Sequence, residues 1–231
     1  MLTQVFIIGA AGKVGRPLAR QLAARGHVAL ALHRHPAQAA DLATLGARPV
    51  HGDLTADDAP TLAARMAGSD VVVFTAGAGG AGIAVTDAVD GAGLVLAVAA
   101  ARQAGVARFL LVSAFPEAGR GKALGEGFEH YMAVKKRADV HLAASDLAWV
   151  ILRPGTLNDA PGTGRITAGP AIAYGEVPRE DVAATLVGLI ERPALQHCII
   201  ELTGGEVRVD QALDRLGVKC APTTATQTST P

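Results

Sequence analysis

Tyr131 and Lys135 stand four residues apart in Tyr131-Met-Ala-Val-Lys135, a spacing that puts a phenol and an ammonium on one helical face, a turn apart. A nearby ammonium stabilises phenolate, so the pair predicts a tyrosine pKa drawn down towards neutrality, where the side chain can act as acid or base. Ser113 closes an apolar run eighteen residues upstream. Its hydroxyl is placed either to hold a substrate carbonyl beside Tyr131 or to cap a turn.

A second constellation sits near the N-terminus. Gly9-Ala-Ala-Gly12-Lys-Val-Gly15 follows an apolar run of strand length and opens a helix. In such a turn Gly9 permits the tight bend, Gly12 lets the backbone approach a diphosphate, and Gly15 allows close helix–strand packing. The helix N-terminus then offers free N–H groups and a partial positive charge to phosphates. A turn present only for packing is the alternative. A site for NAD normally carries Asp or Glu at the end of the second strand. This chain has His33-Arg34-His35 there. Arg34 can pair with a 2′-phosphate through its planar fork, and Lys13 adds a second positive charge, so NADP(H) is expected in preference to NAD(H). Asp53, in Gly52-Asp53-Leu54 after the third strand, can accept a hydrogen bond from an adenine amino group or cap a turn near Thr55. Neither His33 and His35 nor His130 and His197 bring a spaced ligand set, and no metal is expected.

These residues need a scaffold, and its pattern is regular. Short apolar runs at Val5–Ile8, His27–His33, Arg48–His51, Asp70–Phe74, Arg108–Val112 and Ala148–Leu152 alternate with helical stretches at Val14–Arg25, Pro36–Leu45, Thr55–Met66, Ile83–Ala104 and Gly127–Ala144. Strands apolar on both faces and separated by helices form a parallel sheet covered on both sides. The expected fold is α/β, a doubly wound Rossmann-type parallel sheet, with residues 1–217 as one domain and 153–217 as its small substrate-side extension. Pro154–Gly169 reads as a long loop with at most a short strand near Arg165–Ala168. Helices at Arg179–Ile190 and Asp210–Leu216 flank a strand at His197–Leu202, and residues 218–231 form a flexible, polar tail.

Composition narrows the function. Half of the 231 residues are hydrophobic, and 21 basic side chains balance 21 acidic ones, which excludes disorder and leaves no net basic surface for nucleic acid. Aromatics at 3% leave few base-stacking platforms. Two cysteines, Cys198 and Cys220, point to a reducing compartment. The N-terminus lacks the basic region of a signal peptide, and the longest apolar runs fall short of the roughly 20 residues that span a bilayer, so a cytoplasmic chain without a membrane partner is expected.

In order along the chain, the glycine turn, Gly52-Asp53-Leu54, Ser113 and Tyr131-x-x-x-Lys135 resemble the short-chain dehydrogenase/reductase superfamily. Leu111-Val-Ser-Ala-Phe115, Leu152-Arg-Pro-Gly155, Glu176-Val-Pro-Arg-Glu-Asp-Val-Ala183 and Glu201-Leu-Thr-Gly-Gly-Glu206 are similar to its atypical, NAD(P)-binding subgroup of flavin reductase, biliverdin-reductase-like and NmrA-like proteins. The resemblance covers about residues 3–217. It implies that Gly9, Gly12, Lys13, Val14 and Arg34 hold the diphosphate and 2′-phosphate, that Asp53 and Leu54 hold the adenine, and that Thr75, Ala76 and Gly77 line the path towards the nicotinamide. It also implies that Lys135 bonds the nicotinamide ribose, that Tyr131 donates a proton, and that Pro154, Gly155 and Thr156 shape the nicotinamide pocket. Asp90 stands where the superfamily's proton relay uses Asn.

The expected activity is NADPH-dependent hydride transfer to a small-molecule acceptor, either a flavin, a quinone or a carbonyl compound, under the Pro154–Gly169 loop and against Phe115. A non-catalytic NADP(H) sensor of NmrA type is the alternative. A nucleotide-sugar epimerase or dehydratase ranks third, because those proteins carry a larger C-terminal substrate domain. The chain is expected to be a monomer or a homodimer.

Overall fold

Runs of β-branched and aliphatic residues too short for helices lie side by side in the structure, a computed structural model that describes residues 2–219. Seven of them form a parallel sheet: β1 (Gln4–Ile8), β2 (Val28–His33), β3 (Arg48–His51), β4 (Val71–Phe74), β5 (Arg108–Val112), β6 (Ala148–Pro154) and β10 (Cys198–Gly204), in spatial order β3-β2-β1-β4-β5-β6-β10. Pro49 lies on the edge strand β3, where a missing N–H is tolerated. The chain passes from one edge to the middle between β3 and β4, so β1 and β4 flank the point where strand order reverses. Ligands bind at the carboxyl end of such a point.

Side-chain alternation divides the core. Val5, Ile7, Val73, Leu110, Val150 and Leu152 face α1 (Gly15–Ala24), α7 (Arg179–Ile190) and α8 (Val209–Lys219). Phe6, Ile8, Val72, Phe74, Phe109, Leu111 and Ile151 face α3 (Ala59–Met66), α5 (Gly93–Gln103) and α6 (Glu126–Ala143). Helix α2 (Ala37–Thr44) buries Leu42 beside the first group. The doubly wound α/β expectation holds. Arg108, buried at the start of β5, donates to the carbonyls of Leu189, Arg192, Pro193 and Leu195 and so fixes the end of α7 to the sheet.

Three features differ from expectation. The stretch 154–169 carries, besides the short strand expected near Arg165–Ala168, which is β8 (Arg165–Gly169), a second one, β7 (Thr156–Asn158), paired with β9 (Glu176–Pro178); β8 adds antiparallel to β10, with β11 (Val207–Arg208) beyond it. The helix expected over Ile83–Ala104 is α4 (Ile83–Thr86) and α5 joined by a π-helical turn, Asp87–Ala92. Because the turn joins two shorter apolar runs, Ile83–Gln103 is continuous for 21 residues and is long and apolar enough to cross a membrane. Here Leu94, Ala97 and Ala101 of that stretch are buried against the sheet. Finally, α8 runs to Lys219, into the tail expected over 218–231. The rest of that tail, Cys220 included, lies outside the described residues.

Candidate active site

The glycine turn follows β1 directly. Gly9 has φ 86°, and a Cβ there would strike the backbone of Ala76, so neither conformation nor space admits a side chain. Gly12 N–H donates to Gly9 O at 2.9 Å, closing the turn. Gly15 packs on the backbone of Gly9 and Ala10, the close approach expected of it. Thr75, at the end of β4, donates its hydroxyl to the carbonyls of Ile8 and Gly9 at 3.0 and 3.2 Å, with Ala76 and Gly77 following. Val14 is buried in the core, which leaves only its backbone to face a ligand. No side chain caps the N-terminus of α1; Arg16 N–H bonds Gly12 O and Pro17 has none, so among the described residues the N–H groups of Lys13, Val14 and Gly15 are the ones without a backbone acceptor at this end.

Lys13 has a partner on the substrate side. Its ammonium pairs with Asp159 at 2.8 Å, and Asp159 also takes Arg179 at 2.6 Å. The expected second positive charge for a 2′-phosphate is therefore engaged by the substrate-side segment.

At the end of β2, Arg34 is exposed, and its Nε donates to His35 Nε2 at 3.2 Å. Asp53 faces the pair. One of its oxygens accepts from Thr55 N and Oγ1 at 2.9 and 2.7 Å, the turn-capping alternative, and the other is left for a ligand. Burial pushes its pKa up, but the Thr55 hydrogen bonds and the charges of Arg34 and His35 outweigh this and hold it below the usual carboxylate range. Leu54 is half-buried against Gly93 at the start of α5, so its side chain serves the second core as well as lining the crevice. Among the described residues no cluster of His, Cys, Asp and Glu is set to hold a metal.

The remaining residues meet at the carboxyl end of β5. The π-helical turn brings Asp90 inward, where it is 1% exposed and accepts from Ala78 N at 2.8 Å and Lys135 Nζ at 3.5 Å. Lys135 is buried and also donates to Val112 O at 3.0 Å. Burial lowers its pKa, against the opposing pull of Asp90 and Asp139. Tyr131 lies one turn before it. Its phenol is not drawn down as the four-residue spacing predicts. Burial first, then the charges of Asp90 and Asp139, push it up to about 12. Ser113 Oγ is buried and has no hydrogen-bond partner, so the turn-capping alternative does not apply to it.

Sequence reasoning missed the buried ion pair of Asp139 and Arg153. Asp139 lies four residues beyond Lys135, on the same stripe of α6. One of its oxygens takes Arg153 Nε and Nη2 at 3.0 and 2.9 Å, while its other oxygen is buried without a partner. The four-residue stripe was a usable signal; the Arg153 partner, on β6, was not.

The substrate side is stapled by the first three residues of α7. Arg179 holds Asp159, Glu180 accepts from Arg20 at 2.7 Å and from Gln21, and buried Asp181 accepts from Thr163 and Gly164. Pro154, Gly155 and Thr156 run from β6 into β7 beside them.

A doubly wound sheet with a glycine turn at the switch point defines a dinucleotide-binding protein of Rossmann type. The NAD(P)H-binding family matches residues 9–193, and the chain belongs to it. An uncharacterized sugar epimerase of Bacillus subtilis is 35% identical over 215 residues, covering 92% of this chain and all of that protein. Among solved structures, one from Bacillus halodurans described as an NAD-dependent epimerase/dehydratase superposes with a TM-score of 0.84 at 28% identity, covering 92% and 99% of the two chains. An anaerobilin reductase from Escherichia coli superposes at 0.73 and 27% identity, covering 89% and 99%. These relatives agree with the resemblance to the atypical short-chain dehydrogenase/reductases.

Proposed function

We propose that this chain is an NADPH-dependent reductase that passes hydride to a flavin, quinone or carbonyl acceptor. One juxtaposition carries the reading: the uncapped α1 N-terminus and, two strands along the same sheet edge, an unpartnered Ser113 hydroxyl next to Val112, whose carbonyl accepts from Lys135. The residues present suit a dinucleotide. Gly9, Gly12, Lys13 and Val14, the last two through their backbone, face the diphosphate, with Gly15 seating the helix. Arg34 takes the 2′-phosphate, and Asp53 and Leu54 take the adenine. Thr75, Ala76 and Gly77 line the path along β4, and Pro154, Gly155 and Thr156 close the nicotinamide end. Lys135 has three N–H donors, of which Val112 O and Asp90 engage two, leaving one for a ribose hydroxyl.

When bound, the nicotinamide supplies the hydride. Tyr131, neutral through the physiological range, holds a proton that it can give to an acceptor oxygen but does not readily take one from it. Ser113 Oγ orients that oxygen. Asp90 keeps Lys135 in place and leaves the site's charge balanced.

The test is NADPH consumption with FMN, quinones and simple carbonyls, with NADH run alongside. Turnover with NADPH well above NADH is expected. Tyr131→Phe is expected to lower carbonyl turnover by about 10²–10⁴-fold. Folded, NADPH-binding protein without turnover on any acceptor would overturn the reductase reading in favour of an NADP(H) sensor. The names of the B. subtilis and B. halodurans relatives favour a second reading, a sugar epimerase. Interconversion of a nucleotide sugar without net NADPH consumption would establish it instead.

A further inference from the structure

The chain has five Phe, two Tyr and one Trp. Phe6, Phe74 and Phe109 fill the core, and Trp149 lies against His197. The other half of the aromatic set is placed beyond the carboxyl end of β5: Phe115 two residues after Ser113, Phe128 and Tyr131 on α6, and Tyr174 in the loop before β9. They form pairs, Phe115 with Tyr174 edge to face at 5.3 Å and Phe128 with Tyr131 at 6.2 Å.

Tyr174 is unlike the rest. Phe115 is buried, yet Tyr174, packed on it, is 41% exposed. Its hydroxyl lies 2.5 Å from Thr156 Oγ1, at the start of β7. The backbone that follows it is also anchored: Thr156 N donates to Gly175 O at 2.9 Å, and Gly155 packs on Gly175 with no room for a Cβ. An exposed aromatic ring held at ring, hydroxyl and adjoining backbone has already lost the freedom that ligand binding would otherwise remove. In the Tyr174–Thr156 pair one hydroxyl donates to the other, so one O–H remains for a ligand. The orphaned Ser113 hydroxyl, two residues from Phe115, is a second polar group at this edge that awaits a partner.

We propose that Tyr174, backed by Phe115 and held by Thr156, receives the acceptor: its ring takes a flat conjugated ring, and the hydroxyl pair meets that ring's carbonyl edge. The inference rests on the reductase reading for the existence of an acceptor. Within that reading it selects flavins and quinones over aliphatic carbonyls. Tyr174 acts here by binding and orientation, and the proton stays with Tyr131.

Two readouts separate the claims. FMN is titrated into the full chain saturated with NADP⁺ and followed by quenching of flavin fluorescence. NADPH consumption is then measured with menadione and with an aliphatic aldehyde. Tyr174→Phe keeps the ring and removes the hydroxyl, and is expected to weaken FMN about 3–10-fold, the range of one net hydrogen bond. Tyr174→Ala is expected to weaken it further and to raise the menadione KM while kcat and NADPH affinity stay near wild type. FMN binding with NADPH consumption on no acceptor would sink the reductase reading while leaving Tyr174 as a binding residue. Menadione turnover at unchanged KM in Tyr174→Ala would sink this inference alone. Failure of the wild type to bind FMN, or preference for the aldehyde over menadione, would also overturn it.

Discussion

Replacing Arg153 with methionine strands a carboxylate in the interior. The Asp139 side chain is 7% exposed and that of Arg153 20%, and both guanidinium contacts fall on one oxygen, the other having no partner. Removing one member of a buried pair costs about 3–5 kcal/mol. A chain of this size loses about 2–4 °C of Tm for each kcal/mol, so Arg153→Met should lower Tm by about 6–20 °C. Asp139→Leu leaves the guanidinium unpaired, but its partial exposure lets it reach water, and a smaller loss of about 1–3 kcal/mol is expected. The double variant removes both charges and should recover much of the loss, giving a coupling of about 1–3 kcal/mol in a double-mutant cycle. Chemical denaturation of the four proteins measures it. Additive single losses, or a loss below about 1 kcal/mol for Arg153→Met, would refute the view that this pair is held by burial and mutual neutralisation.

Three further outcomes are expected. Tyr131, held up to about 12 against an ordinary 10.0, stays protonated in the folded chain while the unfolded phenol ionises. Its contribution is thus complete below pH 10 and is lost as pH rises towards 12, by about 2–3 kcal/mol. Denaturation curves at about pH 9 and about pH 11.5 should show this slope in the wild type and not in Tyr131→Phe; the same slope in both would contradict the assignment. Gly9→Ala combines a left-handed backbone with collision against Ala76 and should destabilise by about 2–5 kcal/mol, measured by urea denaturation. Arg34→Ala should weaken NADPH about 10–100-fold, the worth of charge-assisted hydrogen bonds, and NADH less than about twofold, measured by calorimetry. Equal losses for the two cofactors would remove Arg34 from 2′-phosphate recognition.

What the sequence discloses follows the range of the interactions. The glycine turn, the apolar strands and the α6 stripe of Tyr131 and Lys135 depend on neighbours within a turn or two, and all are legible there. β8 is legible only as the short strand near Arg165–Ala168; its antiparallel pairing with β10, and that of β11 with it, are not, because the partners lie some thirty to forty positions away. Nor does composition disclose the π-helical turn, one extra residue per turn that aims Asp90 at Lys135. The phenol of Tyr131 shows the limit most directly. Local spacing brings an ammonium one turn away, but burial and two carboxylates, one of them from another element, decide the sign of its shift. Tyr174 is a solitary loop residue with no period or motif, and only the fold brings it to Phe115 and Thr156.

The three-residue staple at the start of α7 bears on how the site can change through evolution or engineering. Arg179, Glu180 and Asp181 tie Asp159, Thr163 and Gly164 to α1, so that part of the substrate side is mechanically one piece with the dinucleotide turn. Sequence variation there would disturb cofactor affinity along with specificity. None of the staple's bonds reaches residues 116–125 or 170–175, which hold instead to their own neighbours and, through Ile172 and Tyr174, to Glu201 and Thr156. They form a replaceable module: exchanging them between relatives is the route by which one scaffold, with its cofactor half untouched, would be retuned from one acceptor to another.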